Sequence, residues 1–476
     1  MVATRKSIWL IEPVACSTVL VLAVGCSDKP GANPENFNVL LVTLDTTRAD
    51  RLGCYGCKAN TSPHLDAFAS DSVKFERAIA QASNTPTSHA SILTGLNPYQ
   101  HGVRVIFAAS GFRLDRSIPT MATILRERGW QTAAILSAFT VSEYFGLDNG
   151  FDYYDNGLVG DAKHKWLKRE DGKMVWNIRA NQRRSDDTTN EVVAWLNKNR
   201  SRFFLWVHYW DPHDHALVPP NDVIRRFVSQ TDPLMKKMLG LYDAEVFYMD
   251  SQFGRLIQCL KDRGLYDNTI IVVVADHGQG CGDHGWNFHR LLYQEQIWVP
   301  LMIRIPGASP GVVADLVRTI DILPTVLETL GIQGNSRVEG RSLRGLMAGK
   351  PEPPRLAYAD ALNLYDQNSN VVAKRPKDDL LYCAMDRSWK LIFRQRRPNE
   401  SELYHLDTDA RETNNLYSRE TEQAQRLVKA LFQFNGFVHK PFGESADNET
   451  LDRMRQIGYV LPDSKKKSSS QPNQKQ

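Results

Sequence analysis

Short, unbroken apolar runs alternate with segments of helical periodicity over the first two thirds of the chain. The apolar runs occupy residues 38–44, 132–136, 203–208, 269–275 and 299–305. Runs of this length are typical of strands that are buried on both faces of a parallel sheet. Helical patterns lie between them, at residues 120–128, 188–198 and 320–330. This alternation predicts an α/β fold with helices on both faces of the sheet.

The pattern changes after residue 350, where Pro351, Pro353 and Pro354 form a joint. Residues 380–393 are typical of a β-hairpin, and a helical pattern covers residues 420–434. We therefore predict a large catalytic α/β domain at residues 36–350 and a smaller subdomain at residues 351–440. The smaller subdomain would hold an antiparallel sheet and a closing helix. Residues 465–476 have the composition of a disordered tail.

The N-terminus has the features of an export signal. Arg5 and Lys6 precede an apolar stretch, residues 13–25, that is too short to span a membrane. The residues that end at Cys26 resemble a bacterial lipoprotein cleavage site. We therefore predict a signal peptide at residues 1–25, lipidation of Cys26, and export to the bacterial periplasm or outer membrane, or secretion. This lipid anchor would be the protein's contact with a membrane.

The size and net charge of the chain bear on its domain organisation and on the partners that can be expected. The chain has 476 residues, of which 42% are hydrophobic, and is long enough for one large core and a smaller domain. Its net charge of +4 is small and scattered along the chain. A nucleic-acid partner is therefore not expected.

Acidic side chains follow three of the predicted strands, and imidazole side chains follow two of them. In open α/β sheets, ligands bind beyond the carboxyl ends of the strands. A carboxylate next to an imidazole at such an end suits a divalent cation. A lone histidine is usually structural, but an Asp at three strand ends, with histidines beside it at two of them, predicts a metal centre. The candidates are Asp45, Asp211, His213, His215, Asp276, His277 and His289.

A hydroxyl group precedes the apolar helical pattern at residues 84–95. Thr85 would lie at the positive end of that helix, where free amide groups and the helix dipole favour an anion. The alternative is that Thr85 or Thr87 only caps the helix.

Together, these segments resemble the sulfatase family of the alkaline phosphatase superfamily. The resemblance rests on residues 42–56, 88–95, 276–278, 282–285 and 299–303, with 389–392, 402–404 and 412–416 near the C-terminus. It implies a large mixed, mostly parallel sheet between helices, plus a small C-terminal antiparallel sheet. It also implies a metal-dependent hydrolase that acts on sulfuric or phosphoric esters of small molecules or glycans.

Several positions depart from the family's pattern. Thr85 stands where sulfatases carry the Cys or Ser that matures to formylglycine, and threonine does not mature in this way. His89 replaces the Arg of that motif, and Thr46 replaces a metal-binding Asp. His289 matches the Lys that grips the sulfate, and residues 137–139 replace a Lys-Trp-His segment.

These departures resemble the nucleotide pyrophosphatases and alkaline phosphatases. The resemblance implies a Thr85 nucleophile that shares a first metal with Asp45, Asp276 and His277. It also implies a second metal, whose ligands are Asp211, His215 and His289, with His89 and His213 as further catalytic residues. Whether His213 or His215 takes the ligand role stays open. Two metals would be Zn or Mn, whereas a single sulfatase-type metal would be Ca or Mg.

Two other functions share some of these features. Thr-bearing relatives include phosphotransferases that act on lipid or glycan head groups, although these usually carry several membrane spans. Loss of the formylglycine motif is also compatible with an inactive glycan-binding homologue. The retained metal-ligand residues favour a hydrolase.

Overall fold

The computed structural model describes residues 34–106, 110–157, 166–168, 174–176, 182–199, 201–213, 218–334, 337–365, 379–434 and 436–437. The predicted signal peptide at residues 1–25, the predicted lipidation site Cys26, His215 and the predicted tail at residues 465–476 lie outside these residues. Among the described residues, no helix combines the length and the apolar character that a membrane span requires.

The described residues contain fourteen strands and eleven α-helices. The strands are β1 Asn38–Leu44, β2 Val73–Ile79, β3 Gln131–Ile135, β4 Tyr153–Asp155, β5 Trp166–Lys168, β6 Met174–Trp176, β7 Phe203–Tyr209, β8 Thr269–Ala275, β9 Trp298–Arg304, β10 Gly311–Arg318, β11 Ala357–Leu362, β12 Leu380–Met385, β13 Trp389–Arg394 and β14 Glu402–His405. The helices are α1 Pro63–Ala69, α2 Thr85–Thr94, α3 Pro98–His101, α4 Met121–Arg126, α5 Ser185–Lys198, α6 Asn221–Phe227, α7 Leu234–Asp262, α8 Gln294–Ile297, α9 Ile322–Thr329, α10 Arg344–Met347 and α11 Thr421–Gln433.

An eight-stranded sheet forms the centre of the molecule, in the order β10-β2-β9-β8-β1-β7-β3-β4. The neighbours from β8 to β4 are parallel, whereas β9 runs antiparallel to both β2 and β8. Every residue of β1, β7 and β8 is buried, as expected for strands covered on both faces. The sheet is thus large, mixed and mostly parallel, which confirms the predicted fold class.

The apolar run at residues 299–305 does form a strand, but not a parallel one. β9 is antiparallel to both of its neighbours, and this is what makes the predicted mostly parallel sheet a mixed one. The direction of a strand depends on how the connections cross the sheet. It cannot be predicted from the hydrophobicity of the run.

The second sheet is an antiparallel meander in the order β11-β12-β13-β14. The hairpin predicted at residues 380–393 corresponds to β12 and β13. Leu427 and Leu431 of α11 pack with Tyr382 and Leu391 in one apolar cluster, which explains why this helix closes the sheet. The strands of the two sheets lie on either side of the proline joint that begins at Pro351.

Candidate active site

Three adjacent parallel strands, β8, β1 and β7, end at the same edge of the central sheet. Asp45 follows β1 directly, and Asp276 and His277 follow β8. A short 3₁₀ turn, Asp211–His213, follows β7. The carboxyl ends of parallel strands thus bring together polar residues that are far apart in the sequence.

The predicted first metal site is formed by Asp45, Asp276 and His277. All three side chains are fully buried, and each offers an oxygen or nitrogen atom within 4.8 Å of the others. The Asp276 Oδ1 accepts hydrogen bonds from the backbone N–H groups of Thr46 (3.1 Å) and His277 (2.8 Å). Thr46 has a φ of 47°, which is rare for a β-branched residue and strains the backbone beside the cluster.

The two carboxylates of this cluster are buried, and a cation would stabilise their negative charge. Burial raises the pKa of Asp45 well above its usual range, and the nearby Thr85 hydroxyl opposes this rise. Burial, followed by the charge of Asp45, raises the pKa of Asp276. Burial also lowers the pKa of His277 to about 3, so its imidazole is neutral. Asp45 Oδ1 and Asp276 Oδ2 are buried and accept no hydrogen bond within the described part of the chain. Buried carboxylates are normally paired or metal-bound, so this donor set fits a divalent cation.

Thr85 is the first residue of α2 and is almost fully buried. Its Oγ lies 3.4 Å from the Nε2 of His277. The cap of this helix is Asn84, whose side chain accepts a hydrogen bond from the Thr87 N–H at 3.1 Å. The alternative that Thr85 or Thr87 caps the helix is therefore wrong, and the Thr85 hydroxyl faces the cluster.

A row of aromatic rings leads away from His277. The ring of His289 lies 4.7 Å from that of His277, and the ring of His213 lies 5.3 Å from that of His289. Trp210 stacks on His213 with a ring separation of 3.8 Å. The His289 Nδ1 contacts the Ser83 carbonyl at 2.9 Å, and burial lowers its pKa well below the usual range. The structure thus places His289 beside His277, and His213 beside His289.

His89 also lies next to Asp276. Its Nδ1 is 2.8 Å from the Thr85 carbonyl and 3.6 Å from Asp276 Oδ2. Burial lowers its pKa well below the usual value, so the ring is neutral. His89 therefore lies close to the cluster but does not supply the positive charge of the arginine that it replaces.

Asp211 is buried and contacts the start of α5. Its carboxylate accepts hydrogen bonds from the Ser185 N–H at 3.0 Å and the Ser185 hydroxyl at 2.8 Å. Burial raises its pKa to about 7. These bonds tie Asp211 to the first residue of α5. Because His215 lies outside the described residues, the second metal and its ligands stay a prediction.

Sequence reasoning did not select two residues of this region. His208 is fully buried, and its Nε2 lies 3.0 Å from Asp45 Oδ2. Arg290 is buried next to His289 with a φ of 82°. Burial is the largest cause of the lowered pKa of His289, and the neighbouring His277 and His213 come next. The charge of Arg290 lowers this pKa further. A histidine inside an apolar run looks like a core residue, and only the strand register shows that His208 lies beside Asp45.

The sequence was compared with models of known protein families. A model of the sulfatase family matches residues 37–332. The chain belongs to the sulfatase family. A second model, of the C-terminal region of N-sulphoglucosamine sulphohydrolase, matches residues 282–434 of this sulfatase-family protein.

Relatives of known activity cover most of the chain. The arylsulfatase of Clostridium perfringens is 25% identical over 82% of this chain and 92% of the relative. The N-acetylglucosamine-6-O-sulfatase of Bacteroides thetaiotaomicron is 23% identical over 91% of this chain and 92% of the relative. The crystal structure of the phosphonate monoester hydrolase of Agrobacterium radiobacter has a TM-score of 0.67 at 20% identity, over 83% of this chain and 94% of the other. The protein is a sulfatase-like ester hydrolase.

Proposed function

We propose that this sulfatase-family protein hydrolyses phosphoric or sulfuric esters with a threonine nucleophile and a divalent metal. One observation carries the proposal: the buried Thr85 hydroxyl faces the cluster of Asp45, Asp276 and His277. A hydroxyl that served only to cap its helix would not face two carboxylates and an imidazole. The position of formylglycine is thus taken by a residue that metal coordination can activate.

Asp45, Asp276 and His277 are the residues that would hold the first cation, together with the Thr85 hydroxyl. A bound divalent cation favours the alkoxide form of a hydroxyl ligand and offsets negative charge on the transferred group. The donor set holds two hard carboxylates and one imidazole, so it is compatible with Zn or Mn and also with Ca or Mg.

The residues around the nucleophile suit an anionic transferred group. Thr85 begins a ten-residue helix, α2, whose N-terminus carries free amide groups and the positive end of the helix dipole. The ring of His289 lies 4.7 Å from that of His277, and the ring of His213 lies 5.3 Å from that of His289. We propose that these two imidazoles bind the transferred group or a second cation, for which Asp211 and His215 are the other predicted ligands.

We further propose that the substrate is a small-molecule or glycan ester. The relatives include an arylsulfatase, an N-acetylglucosamine-6-O-sulfatase and a phosphonate monoester hydrolase, whose names span aryl, glycan and phosphonate substrates. We also propose that the protein is exported and held to the membrane by a lipid on Cys26.

A substrate panel with metal analysis tests the proposal. Purified protein is assayed on nitrophenyl sulfate, phosphate, phosphodiester and phosphonate esters, and metal is measured in the same sample. We expect turnover of at least one ester, loss of turnover on chelation, and at least one bound metal per chain. The variant Asp276→Ala should lose both metal and activity. Protein that binds no metal and cleaves none of the four esters would instead be an inactive glycan-binding homologue.

A further inference from the structure

His208 is the last residue but one of β7, in the middle of the central sheet. In the parallel pairing of β1 with β7 it lies opposite Thr43, two residues before Asp45. Its Nε2 is 3.0 Å from Asp45 Oδ2, and both side chains are fully buried. The other oxygen of that carboxylate, Oδ1, accepts no hydrogen bond within the described part of the chain.

The direction of this hydrogen bond follows from its partners. A carboxylate oxygen in an ion-binding cluster is an acceptor, so the His208 Nε2 must carry the proton and donate. One oxygen of Asp45 is therefore fixed by the imidazole, and the rotation that would exchange Oδ1 with Oδ2 is opposed. Oδ1 is left as the oxygen available to a cation.

The ring of His208 is itself held in place. It packs between the rings of His89, at 5.1 Å, and Trp210, at 6.2 Å. Its backbone carbonyl accepts a hydrogen bond from the Ser137 hydroxyl, and its strand is paired on both sides. A donor that is fixed in this way can orient the carboxylate that it contacts.

We propose that His208 is a positioning residue that holds Asp45 with Oδ1 turned toward the metal. The inference rests on the proposed metal-dependent function and gives His208 a supporting role in it. His208 would touch neither the substrate nor the reacting atoms, and it would act only through Asp45. Partners of this kind, in the shell outside the metal ligands, change metal affinity by about 10–100-fold when they are mutated.

The test compares variants that remove or keep the donor. His208→Phe keeps a planar ring without the N–H group, whereas the longer amide of His208→Gln can place an N–H near the former Nε2. The shorter amide of His208→Asn cannot reach that point. The control is His101→Phe, because His101 is also buried and hydrogen-bonded but contacts Ser91 and the backbone of Val103.

Affinity for Zn²⁺ is measured on metal-free protein by competition with a chromophoric chelator, and thermal unfolding is measured without metal. We expect the dissociation constant to rise at least tenfold in His208→Phe and His208→Asn, and less than about threefold in His208→Gln. His101→Phe should lower the unfolding temperature with unchanged affinity. If His208→Phe does not fold, the contrast between the Gln and Asn variants decides the question.

Two results would overturn the inference in different ways. Equal affinity in wild-type protein and in the Phe and Asn variants would remove the positioning role and leave the proposed function intact. A wild-type protein that binds no divalent cation would remove the proposed function, and the role of His208 with it. Equal losses of affinity in His101→Phe and His208→Phe would show a structural effect only.

Discussion

The Oγ of Thr85 lies 3.4 Å from the Nε2 of His277, although the two residues are 192 positions apart in the sequence. The contact joins the N-terminus of α2 to the carboxyl end of β8. It places a hydroxyl, an imidazole and the carboxylates of Asp45 and Asp276 around one point. The arrangement is what a metal-activated nucleophile requires, and a helix cap does not account for it.

Replacing Thr85 by alanine should abolish turnover and leave the fold intact. Loss of a nucleophile typically lowers kcat by about a thousandfold or more. Because Asn84 provides the helix cap, we expect a stability loss of at most about 1 kcal/mol. Activity and thermal unfolding are measured side by side with Thr94→Ala, which removes a buried hydroxyl bonded to Ala90 on the same helix. Near-normal kinetics in Thr85→Ala would remove the nucleophile assignment.

His289→Ala should lower metal content or activity at least tenfold. The His289 ring lies 4.7 Å from that of His277, and a neutral imidazole at this point can bind either a cation or the transferred group. Metal content and kcat/KM are compared with those of His405→Ala, whose ring packs on Trp389 in the smaller sheet. Unchanged metal content and unchanged turnover would return His289 to a purely structural role.

His284 should make stability depend on pH. Although burial opposes it, contact with Glu295 raises the pKa of His284, as does the neighbouring Glu412. A group whose pKa is higher in the folded state stabilises that state when it is protonated. The contribution is complete at pH values below the pKa in the unfolded state, about 6.5 for histidine. It is lost as the pH rises through the pKa in the folded state.

The measurement is the free energy of unfolding in urea at pH 5.5 and pH 8.5. The stability gap between wild type and His284→Gln should be larger at pH 5.5 and should shrink at pH 8.5. His405→Gln is the matched control. A gap of the same size at both pH values would show that protonation of His284 does not contribute.

The sequence predicted the fold class and part of the candidate site, but it missed one strand of the central sheet. Asp45, Asp276 and His277 could be foreseen, because they follow apolar runs whose carboxyl ends must share an edge of a parallel sheet. The strand Val73–Ile79 was missed, since it carries Lys74, Glu76 and Arg77 and has no apolar run.

Other features of the site depend on contacts that are distant in the sequence. The metal-ligand role of Asp211 stays a prediction, and the structure adds that its carboxylate accepts hydrogen bonds from Ser185, 26 residues earlier, at the start of α5. His208 lies within an apolar run, and its role becomes visible only through the pairing of β7 with β1. Neither contact can be read from local periodicity.

The last prediction concerns the choice between phosphate and sulfate. We expect this sulfatase-family protein to hydrolyse phosphate esters or diesters better than sulfate esters. The resemblance to the sulfatase motifs assigns Thr85 to the position of the formylglycine precursor, Thr46 to that of a ligand Asp and His289 to that of the Lys that grips the sulfate. The structure places all three replacements around the Asp276–His277 pair.

Charge gives the physical reason. A phosphate monoester carries about two negative charges near pH 7, because its second pKa is near 6, whereas a sulfate ester carries one. A helix N-terminus and one or two divalent cations match the larger charge more closely, and electrostatic stabilisation of the transferred group is usually the largest catalytic contribution. Phosphodiesters, like sulfate esters, carry a single charge. A comparison of these two substrates therefore shows whether the preference for phosphorus persists when the substrate charge is equal.

Parallel measurements of kcat/KM on matched nitrophenyl sulfate, phosphate and phosphodiester substrates decide the question. Mass spectrometry of each sample establishes whether residue 85 is unmodified. Thr85→Ser, once its serine is shown to be unmodified and not matured to formylglycine, serves as a control that keeps a hydroxyl nucleophile. We expect both enzymes to prefer a phosphorus ester. A clear preference for the sulfate, in protein with unmodified Thr85, would contradict the prediction, because an unmodified threonine would then perform the reaction for which sulfatases use formylglycine.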